Sequence, residues 1–338
     1  MRSHWILLLA FFPLFTFSTS ARERVSENLS LYASCDPEWA ALLASEFQKE
    51  FGIKVDWMRE GAGVILQRIK AEKGRPQADV WFAGPIDAHA KAAEWGLLES
   101  FTPGNRSELR KEFQNPLGNN QSTGAYGGVL GFSVNEALLL KLAKPVPKTW
   151  DDLLNPTYKG LISMSNPNTA GTGYTILSTI FRMKGKEQGL EYLKKLDKNI
   201  PQYTQSGSAP LLLTGKGEVA IAIVFLQDAA KARVDGYPLK EVTPADGTGY
   251  EFGGLSLVKN GPHPELGKKF IEWMLSPKTQ ELALKAKAFH FPSNQKTPLR
   301  ENVISFDQIK RIDLPVAWAA ENRETFLKLW SEQVFAGR

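Results

Sequence analysis

The chain has 338 residues, of which 43% are hydrophobic and 23% charged, and its formal net charge is +5 at pH 7. This length exceeds what one hydrophobic core usually holds, so the sequence predicts two domains. Lysine and arginine are interspersed with aspartate and glutamate and form no basic run, which argues against a nucleic-acid partner. The single cysteine, Cys35, excludes an intramolecular disulfide, and we expect its side chain to be buried.

Residues 1–21 have the pattern of a secretory signal peptide. Arg2 and His4 precede an uncharged run from Trp5 to Phe17, and small residues follow as far as Ala21. The run is short for a transmembrane helix, and no second one follows. Cleavage would remove the charge of Arg2 and lower the net charge from +5 to +4. We therefore expect an exported protein that is soluble after signal-peptide cleavage.

Short predicted strands alternate with helices from residue 28 onward. The strands cover 29–33, 53–57 and 78–82. This alternation is typical of a parallel, doubly wound sheet, in which ligands bind at the carboxyl ends of the strands. It indicates three candidate ligand loops, at 34–36, 59–63 and 83–85.

A second alternating series begins near residue 150. It consists of a strand at 160–165, helices at 174–184 and 187–196, and an apolar strand at 219–225. Glycine-rich apolar stretches near 128–134 and 250–258 are predicted to cross between the two series. The sequence thus predicts an α/β fold of two lobes, each a mostly parallel sheet flanked by helices, with a cleft between them. The predicted parts are lobe 1 at 22–128, lobe 2 at 129–252, a return to lobe 1 at 253–300, and C-terminal helices at 301–338.

The segment from Ser165 to Tyr174 contains no charged residue and joins a predicted strand to a predicted helix. Gly171, Gly173 and the small hydroxyl residues leave several backbone N–H groups free at the positive end of that helix. Such a terminus binds an anion without a lysine. An ordinary capped turn between strand and helix has a similar pattern.

Three further loops of lobe 2 are predicted to reach the cleft. The loop 205–210 is small and uncharged, the strand at 219–225 ends before Gln227 and Asp228, and the glycine-rich turn 247–254 carries Glu251. Backbone and hydroxyl donors suit a phosphate, whereas carboxylates accept hydrogen bonds from sugar hydroxyls. In lobe 1, Arg59 either pairs with an anion in the cleft or pairs at the surface with Glu60 or Asp79.

The sequence gives little support for catalysis. The histidines beyond the signal peptide, His89, His263 and His290, are far apart and lack the spacing of metal ligands or of a catalytic triad. No phosphate-loop signature and no complete dinucleotide fingerprint is present. We therefore predict no catalytic residue, no metal site and no cofactor.

Three segments, 166–175, 202–210 and 247–251, together resemble the periplasmic solute-binding proteins of bacterial ABC importers. The resemblance spans residues 28–290 and lies in the cluster that binds ferric iron, phosphonates and sugar phosphates. It implies a type 2 periplasmic binding protein fold that closes like a Venus flytrap. It also implies a monomer in the periplasm whose partners are a small phosphorylated or anionic solute and an ABC permease of the inner membrane.

The resemblance also ranks the ligands. Ferric-binding members have two adjacent tyrosines near the end of the strand that corresponds to 219–226, where this chain has Leu226 and Gln227. The hexose-phosphate-binding group matches best, because Asp228 and Glu251 fit its carboxylate positions while Gln227 replaces its histidine. A sugar phosphate is therefore favoured over 2-aminoethylphosphonate and ferric iron. A secreted phosphate-ester hydrolase is the alternative from another functional class.

Thr169–Thr172, Ser206–Ser208 and Arg59 are predicted to hold phosphate, and Asp228 and Glu251 to accept from hydroxyls. The full set of predicted ligand-binding residues is Ser34, Arg59, Gly61, Ala62, Gly63, Thr169, Ala170, Gly171, Thr172, Ser206, Gly207, Ser208, Gln227, Asp228 and Glu251.

Overall fold

The computed structural model describes residues 28–336, so the predicted signal peptide and the residues up to 27 lie outside the described part. The strands are β1 (Leu29–Ala33), β2 (Val55–Arg59), β3 (Val80–Pro85), β4 (Leu98–Glu99), β5 (Thr123–Val134), β6 (Ile162–Ser165), β7 (Tyr203–Thr204), β8 (Ile221–Phe225), β9 (Lys240–Val242), β10 (Tyr250–Val258) and β11 (Phe291–Pro292). Within the described residues, no helix combines the length and the apolar character that crossing a membrane requires.

The helices alternate with these strands through both halves of the chain. They are α1 (Pro37–Phe51), α2 (Ala62–Ala71), α3 (Ile86–Glu94), α4 (Lys111–Gln114), α5 (Glu136–Lys141), α6 (Gly171–Lys184), α7 (Lys186–Asp197), α8 (Ala209–Gly215), α9 (Leu226–Val234), α10 (Pro264–Met274), α11 (Pro277–Lys285), α12 (Val316–Glu321) and α13 (Arg323–Trp330). Helix α6 begins at Gly171, earlier than the predicted start at Tyr174.

The strands follow the order β2-β1-β3-β10-β5-β8-β6-β7. Strands β1, β2 and β3 pair in parallel, as do β6, β7 and β8. The two long strands β5 and β10 run antiparallel to their neighbours and lie between these groups. The architecture confirms the prediction of an α/β fold with two mostly parallel sheets.

Strand β5 belongs to both sheets. Its first part, from Thr123 to Val129, pairs with β10, and its second part, from Leu130 to Val134, pairs with β8. The strand thus starts earlier than the predicted crossing segment at 128–134. Tyr250, the first residue of β10, lies opposite Val129, so the two crossing strands meet where β5 changes partner.

Two large hydrophobic clusters lie on either side of this crossing. One surrounds β1, β3 and α1 and buries Trp39 and Phe82, and the other surrounds β6, β8 and α6 and buries Phe132 and Trp150. In the predicted C-terminal segment, Phe306 packs into the first cluster, and the helices begin only at Val316.

The C-terminal helices join the two lobes. Helix α12 packs against α3 of lobe 1, whereas α13 packs on α6 of lobe 2, with the rings of Phe326 and Phe181 stacked at 4.2 Å. Arg323 of α13 forms a buried ion pair with Asp87 of α3, and its guanidinium lies 4.1 Å from the centre of the Tyr174 ring. Because Arg323 is only 3% exposed, this pair has little solvent screening.

We expect Arg323→Met to lower the free energy of unfolding by about 3–5 kcal/mol, because it leaves the Asp87 carboxylate buried without its partner. Denaturant unfolding measures this loss. Arg300→Met is the matched control, since the exposed Arg300–Glu281 pair should contribute at most about 1 kcal/mol. Adding Asp87→Leu to Arg323→Met should recover part of the loss. A double variant less stable than Arg323→Met alone would contradict this account.

Candidate functional site

A cavity lies between the two lobes, at the carboxyl ends of strands from both sheets. Its walls are the loops that follow β1, β2, β3, β6, β7 and β8, together with the start of β10. The lining residues are Ser34, Cys35, Asp36, Arg59, Glu60, Gly61, Ala62, Gly84, Pro85, Tyr126, Ala170, Gly171, Thr172, Gly207, Ser208, Phe225, Gln227, Asp228, Glu251 and His290.

The structure brings all but three of the predicted ligand-binding residues to this cavity. The three exceptions, Gly63, Thr169 and Ser206, lie directly behind its wall. Gly63 contacts the backbone of Asn168, the Thr169 hydroxyl donates to the Gln205 carbonyl at 3.0 Å, and the Ser206 hydroxyl accepts from Arg59. That these residues bind a ligand remains a prediction.

Several helices begin at the cavity wall. The residues that precede the first turns of α1, α2, α3, α6 and α9 all line the cavity, and none of them caps its helix with a side-chain hydrogen bond. The first N–H groups of a helix have no intrahelical partner, so these groups are available to the cavity. Because the first turns of α2 and α6 contain no acidic residue, their positive ends are not neutralised locally.

The lobes touch backbone to backbone at this positive end. A Cβ atom on Gly61 would lie 2.3 Å from the carbonyl oxygen of Thr169, and one on Gly63 would lie 2.4 Å from that of Asn168. Gly61 precedes α2 in lobe 1, and Thr169 precedes α6 in lobe 2. Only residues without a side chain permit the start of α2 to approach the start of α6 this closely.

Arg59 spans the cleft near the same contact. Its Nε donates to the carbonyl of Cys35 at 3.0 Å, and an Nη donates to the hydroxyl of Ser206 at 3.4 Å. The alternative surface pair with Asp79 is not formed, because the Asp79 carboxylate accepts from the backbone N–H groups of Ser30 and His263. The guanidinium therefore connects the loop after β1 in lobe 1 with the loop after β7 in lobe 2.

Several carboxyl groups also line the cavity. Burial raises the pKa of Asp228 to about 8, with a further contribution from Asp36, while Lys231 and Arg59 oppose the shift. Burial also raises the pKa of Glu251 well above its ordinary value, and Asp228 and Asp87 add to this. The amide of Gln227 acts in the other direction, because it donates to Glu251 Oε1 at 3.1 Å. These side chains favour a ligand that brings hydrogen-bond donors.

Sequence reasoning missed several lining residues. Asp36 lies in a loop that the strand pattern indicated, and so does Pro85, but neither was singled out. Tyr126 and His290 had no local signal, because they come from the crossing strand β5 and from the segment before β11. His290 stacks on Trp39 at 4.7 Å, and burial lowers its pKa to about 3, so it is neutral at pH 7.

His89 shapes the wall without reaching the cavity. It donates from Nε2 to the carbonyl of Ala83 at 3.1 Å and lies 2.8 Å from the Ser256 hydroxyl through Nδ1. Ala83 has a φ of 67°, so the hydrogen bond supports a left-handed backbone just before the cavity residues Gly84 and Pro85. Among the described residues, no group of three or more His, Cys, Asp or Glu side chains could hold a metal ion.

Residues 76–314 match the family model for the bacterial extracellular solute-binding protein. The chain belongs to this family. An uncharacterised protein of Haemophilus influenzae is 34% identical to this solute-binding protein over 325 residues, 94% of this chain and 93% of that one. A putative 2-aminoethylphosphonate-binding periplasmic protein of Salmonella typhimurium is 31% identical over 252 residues, 72% of this chain and 71% of that one.

A solved structure gives the most detailed comparison. The periplasmic binding protein AfuA from Actinobacillus pleuropneumoniae, with exogenous fructose-6-phosphate bound, has a TM-score of 0.89 and 33% identity. The match covers 91% of this chain and 98% of AfuA. The chain is thus the solute-binding component of an ABC importer family, whose members are binding proteins rather than enzymes.

We expect Gly61→Ala to weaken binding of a solute that both lobes contact, because the added methyl group would meet the Thr169 carbonyl when the lobes close. Overpacking of this kind costs about 1–3 kcal/mol, about tenfold or more in affinity. Gly61 has a φ of −66°, which alanine adopts without strain, so the melting temperature without ligand should not change. Gly74→Ala is the matched control, since nothing lies within 4 Å of its Cβ position. Titration calorimetry showing equal affinity for the parent and Gly61→Ala would contradict the closed contact.

The raised pKa of Asp228 predicts a pH effect on stability. A carboxyl group with a pKa of about 8 in the folded protein and about 3.9 in the unfolded chain binds more protons when folded between these values. Its contribution to stability is therefore present at pH 4 and is lost as the pH rises towards 8. Without ligand, the melting temperature of the parent should fall further between pH 5 and pH 8 than that of the Asp228→Asn variant. Parallel curves for the two proteins would show that Asp228 ionises normally.

Proposed function

We propose that this solute-binding protein captures a small phosphorylated solute between its lobes, with a sugar phosphate favoured, and delivers it to an ABC permease of the inner membrane. The observation that carries the proposal is the polarity of the cavity. The lining combines uncharged helix N-termini and the guanidinium of Arg59 with the carboxyl groups of Asp36, Glu60, Asp228 and Glu251. A sugar phosphate has the matching polarity, with an anion at one end and hydroxyl donors at the other.

The phosphate is proposed to lie between α2 and α6. Backbone N–H groups at Gly171 and Thr172, the guanidinium of Arg59 and the hydroxyls of Ser206 and Ser208 are its donors in this arrangement. Both lobes contribute, so the phosphate is fully coordinated only when the cleft is closed. This differential contact favours the closed state and would drive hinge motion about the crossing strands β5 and β10.

The sugar hydroxyls are proposed to donate to Asp228 and Glu251. Both carboxyl groups are buried, which raises their pKa values, and a buried charged group without a hydrogen-bond partner costs free energy. A ligand that donates hydrogen bonds to these groups offsets this cost. A ligand that displaces water without donating hydrogen bonds does not. The carboxylate side therefore contributes selectivity as well as affinity.

The arrangement predicts different effects for the two sides. Asp228→Ala should weaken fructose 6-phosphate by about five- to a hundredfold, because removing one partner of a buried hydrogen bond costs about 1–3 kcal/mol. The same change should leave inorganic phosphate binding almost unaffected. Ser206→Ala combined with Ser208→Ala should weaken both. Calorimetry with the two probes measures these affinities, and unchanged melting temperatures without ligand exclude a folding defect.

Two outcomes would count against the proposed orientation. If Asp228→Ala and Glu251→Ala both bind fructose 6-phosphate as tightly as the parent does, the two carboxyl groups do not contact the sugar. If the double serine variant keeps full affinity for both probes, the phosphate lies elsewhere.

An aminoalkylphosphonate is the second candidate. The excess of carboxylates over the single guanidinium favours a ligand with an ammonium group opposite its anion, and the Salmonella relative is named for 2-aminoethylphosphonate. A thermal-shift comparison separates the two, since a ligand raises stability by RT ln(1 + [L]/Kd). Stabilisation by 2-aminoethylphosphonate at concentrations where fructose 6-phosphate has no effect would reverse our ranking.

Ferric iron ranks below both. Tyr126 is the tyrosine in the cavity lining, and burial raises its pKa well above the ordinary value, which disfavours the phenolate that ferric iron prefers. We also propose that the protein does not hydrolyse its ligand, because no hydroxyl or thiol among the lining residues is hydrogen-bonded to a histidine or a carboxylate of the lining. Steady release of phosphate from glucose 6-phosphate would end this proposal.

The proposed location is the periplasm, after cleavage of the signal peptide at residues 1–21. We further propose that the mature protein is a soluble monomer, since one chain supplies both sides of the cavity. The predicted lobe boundaries at 128 and 252 fit the hinge, because Gly128 and Glu251 pair with each other between β5 and β10.

A further inference from the structure

Gln227 does more in this site than line the cavity. Its side chain is 4% exposed, and its Nε2 donates to Glu251 Oε1 at 3.1 Å. Glu251 is 5% exposed and belongs to strand β10, whereas Gln227 is in the first turn of α9. The hydrogen bond therefore joins helix α9, which follows strand β8 of lobe 2, to a crossing strand.

Gly128 completes the arrangement. It lies directly opposite Glu251 in the pairing of β5 with β10, and the amide of Gln227 occupies the space above it. A Cβ atom on residue 128 would lie 2.2 Å from Nε2 of Gln227 and 2.6 Å from its Oε1. Any side chain at this position would thus displace the amide from Glu251.

We infer that Gln227 is a positioning residue, which acts on the solute through Glu251, and that Gly128 provides the space for it. This inference rests on the proposed function. By holding Oε1, the amide fixes the orientation of the carboxylate and leaves Oε2 for a ligand hydroxyl. Because an amide does not titrate, the orientation persists at any pH at which the protein is folded.

The neighbours of Glu251 are mainly acidic and oppose its ionisation, which gives the hydrogen bond from Gln227 its importance. Asp228 faces it from α9, Asp87 faces it from α3 across a second small cavity, and the neutral Tyr126 lies on β5. Arg323 is paired with Asp87 and so is not a direct partner of Glu251. Gln227 is the donor that opposes burial and the neighbouring carboxylates at Glu251. Removing it should raise the pKa of Glu251 further.

A double-mutant cycle with fructose 6-phosphate tests the inference. Gln227→Met keeps the side-chain length but removes the amide, and it should weaken binding about tenfold, as expected for a hydrogen bond to a charged group. In a Glu251→Met background the same change should alter affinity by less than about twofold, because methionine offers no carboxyl oxygen to the Gln227 amide. Gly128→Ala should resemble Gln227→Met, and Gln227→Asn, which is too short to reach, gives a second variant if the methionine variant folds poorly.

The pH dependence of binding gives an independent readout. Affinity of Gln227→Met should recover only at higher pH than that of the parent, since Glu251 must ionise without its donor. The phosphate of the probe titrates equally in both proteins, so the comparison cancels its effect. Gln48→Met, at an exposed position of α1, is the matched control and should bind as the parent does.

The outcomes are distinct. Equal losses from Gln227→Met in both backgrounds, or an unchanged pH dependence, would show that Gln227 does not act through Glu251. No loss from Gln227→Met in the parent background would overturn the inference as well. If the parent itself binds neither fructose 6-phosphate nor another phosphorylated probe, it is the proposed function that fails.

Discussion

One strand ties the two lobes of this protein together. Strand β5 pairs first with β10 and then with β8, so both sheets share this strand. The carboxyl ends of the parallel strands in both sheets therefore face one cleft. The helices that follow the parallel strands consequently begin at that cleft. The order and direction of the strands therefore determine where the cavity lies, and the side chains determine only what it can bind.

Within the cavity, backbone N–H groups and side-chain carboxyl groups have different electrostatic roles. The first turns of α2 and α6 carry no acidic residue, and Gly61 and Gly63 allow the starts of these helices to meet. The carboxyl groups of Asp228 and Glu251 are buried, and their raised pKa values reflect the cost of removing them from water. Such a cavity closes favourably around a ligand with matching polarity, which is the property that a transport binding protein needs.

The sequence predicted the parts of the site that have local signatures. The loops around Thr169–Thr172 and Asp228 follow apolar strands and precede apolar helices, so their place at the strand ends could be inferred from periodicity alone. Glu251 was indicated by the glycine-rich turn that carries it, and the family resemblance added the ranking of ligands. The lobe architecture was predictable for the same reason, since alternating strands and helices permit few topologies.

Other features depend on contacts between distant segments and could not be predicted. Arg59 had two plausible partners in sequence, and only the packing of lobe 1 against lobe 2 brings Ser206 to it. Tyr126 and His290 reach the cavity through chain crossings that carry no local signal. The pairing of Gln227 with Glu251 likewise depends on strand register, and the sequence gives no register for β5 and β10.

The structure of the complex with fructose 6-phosphate would test the central claim most directly. The account predicts that the phosphate oxygens accept hydrogen bonds from the N–H groups of Gly171 and Thr172 and from Arg59, while sugar hydroxyls donate to Asp228 and Glu251. A phosphate bound on the carboxylate side, or a sugar that contacts only one lobe, would contradict the account.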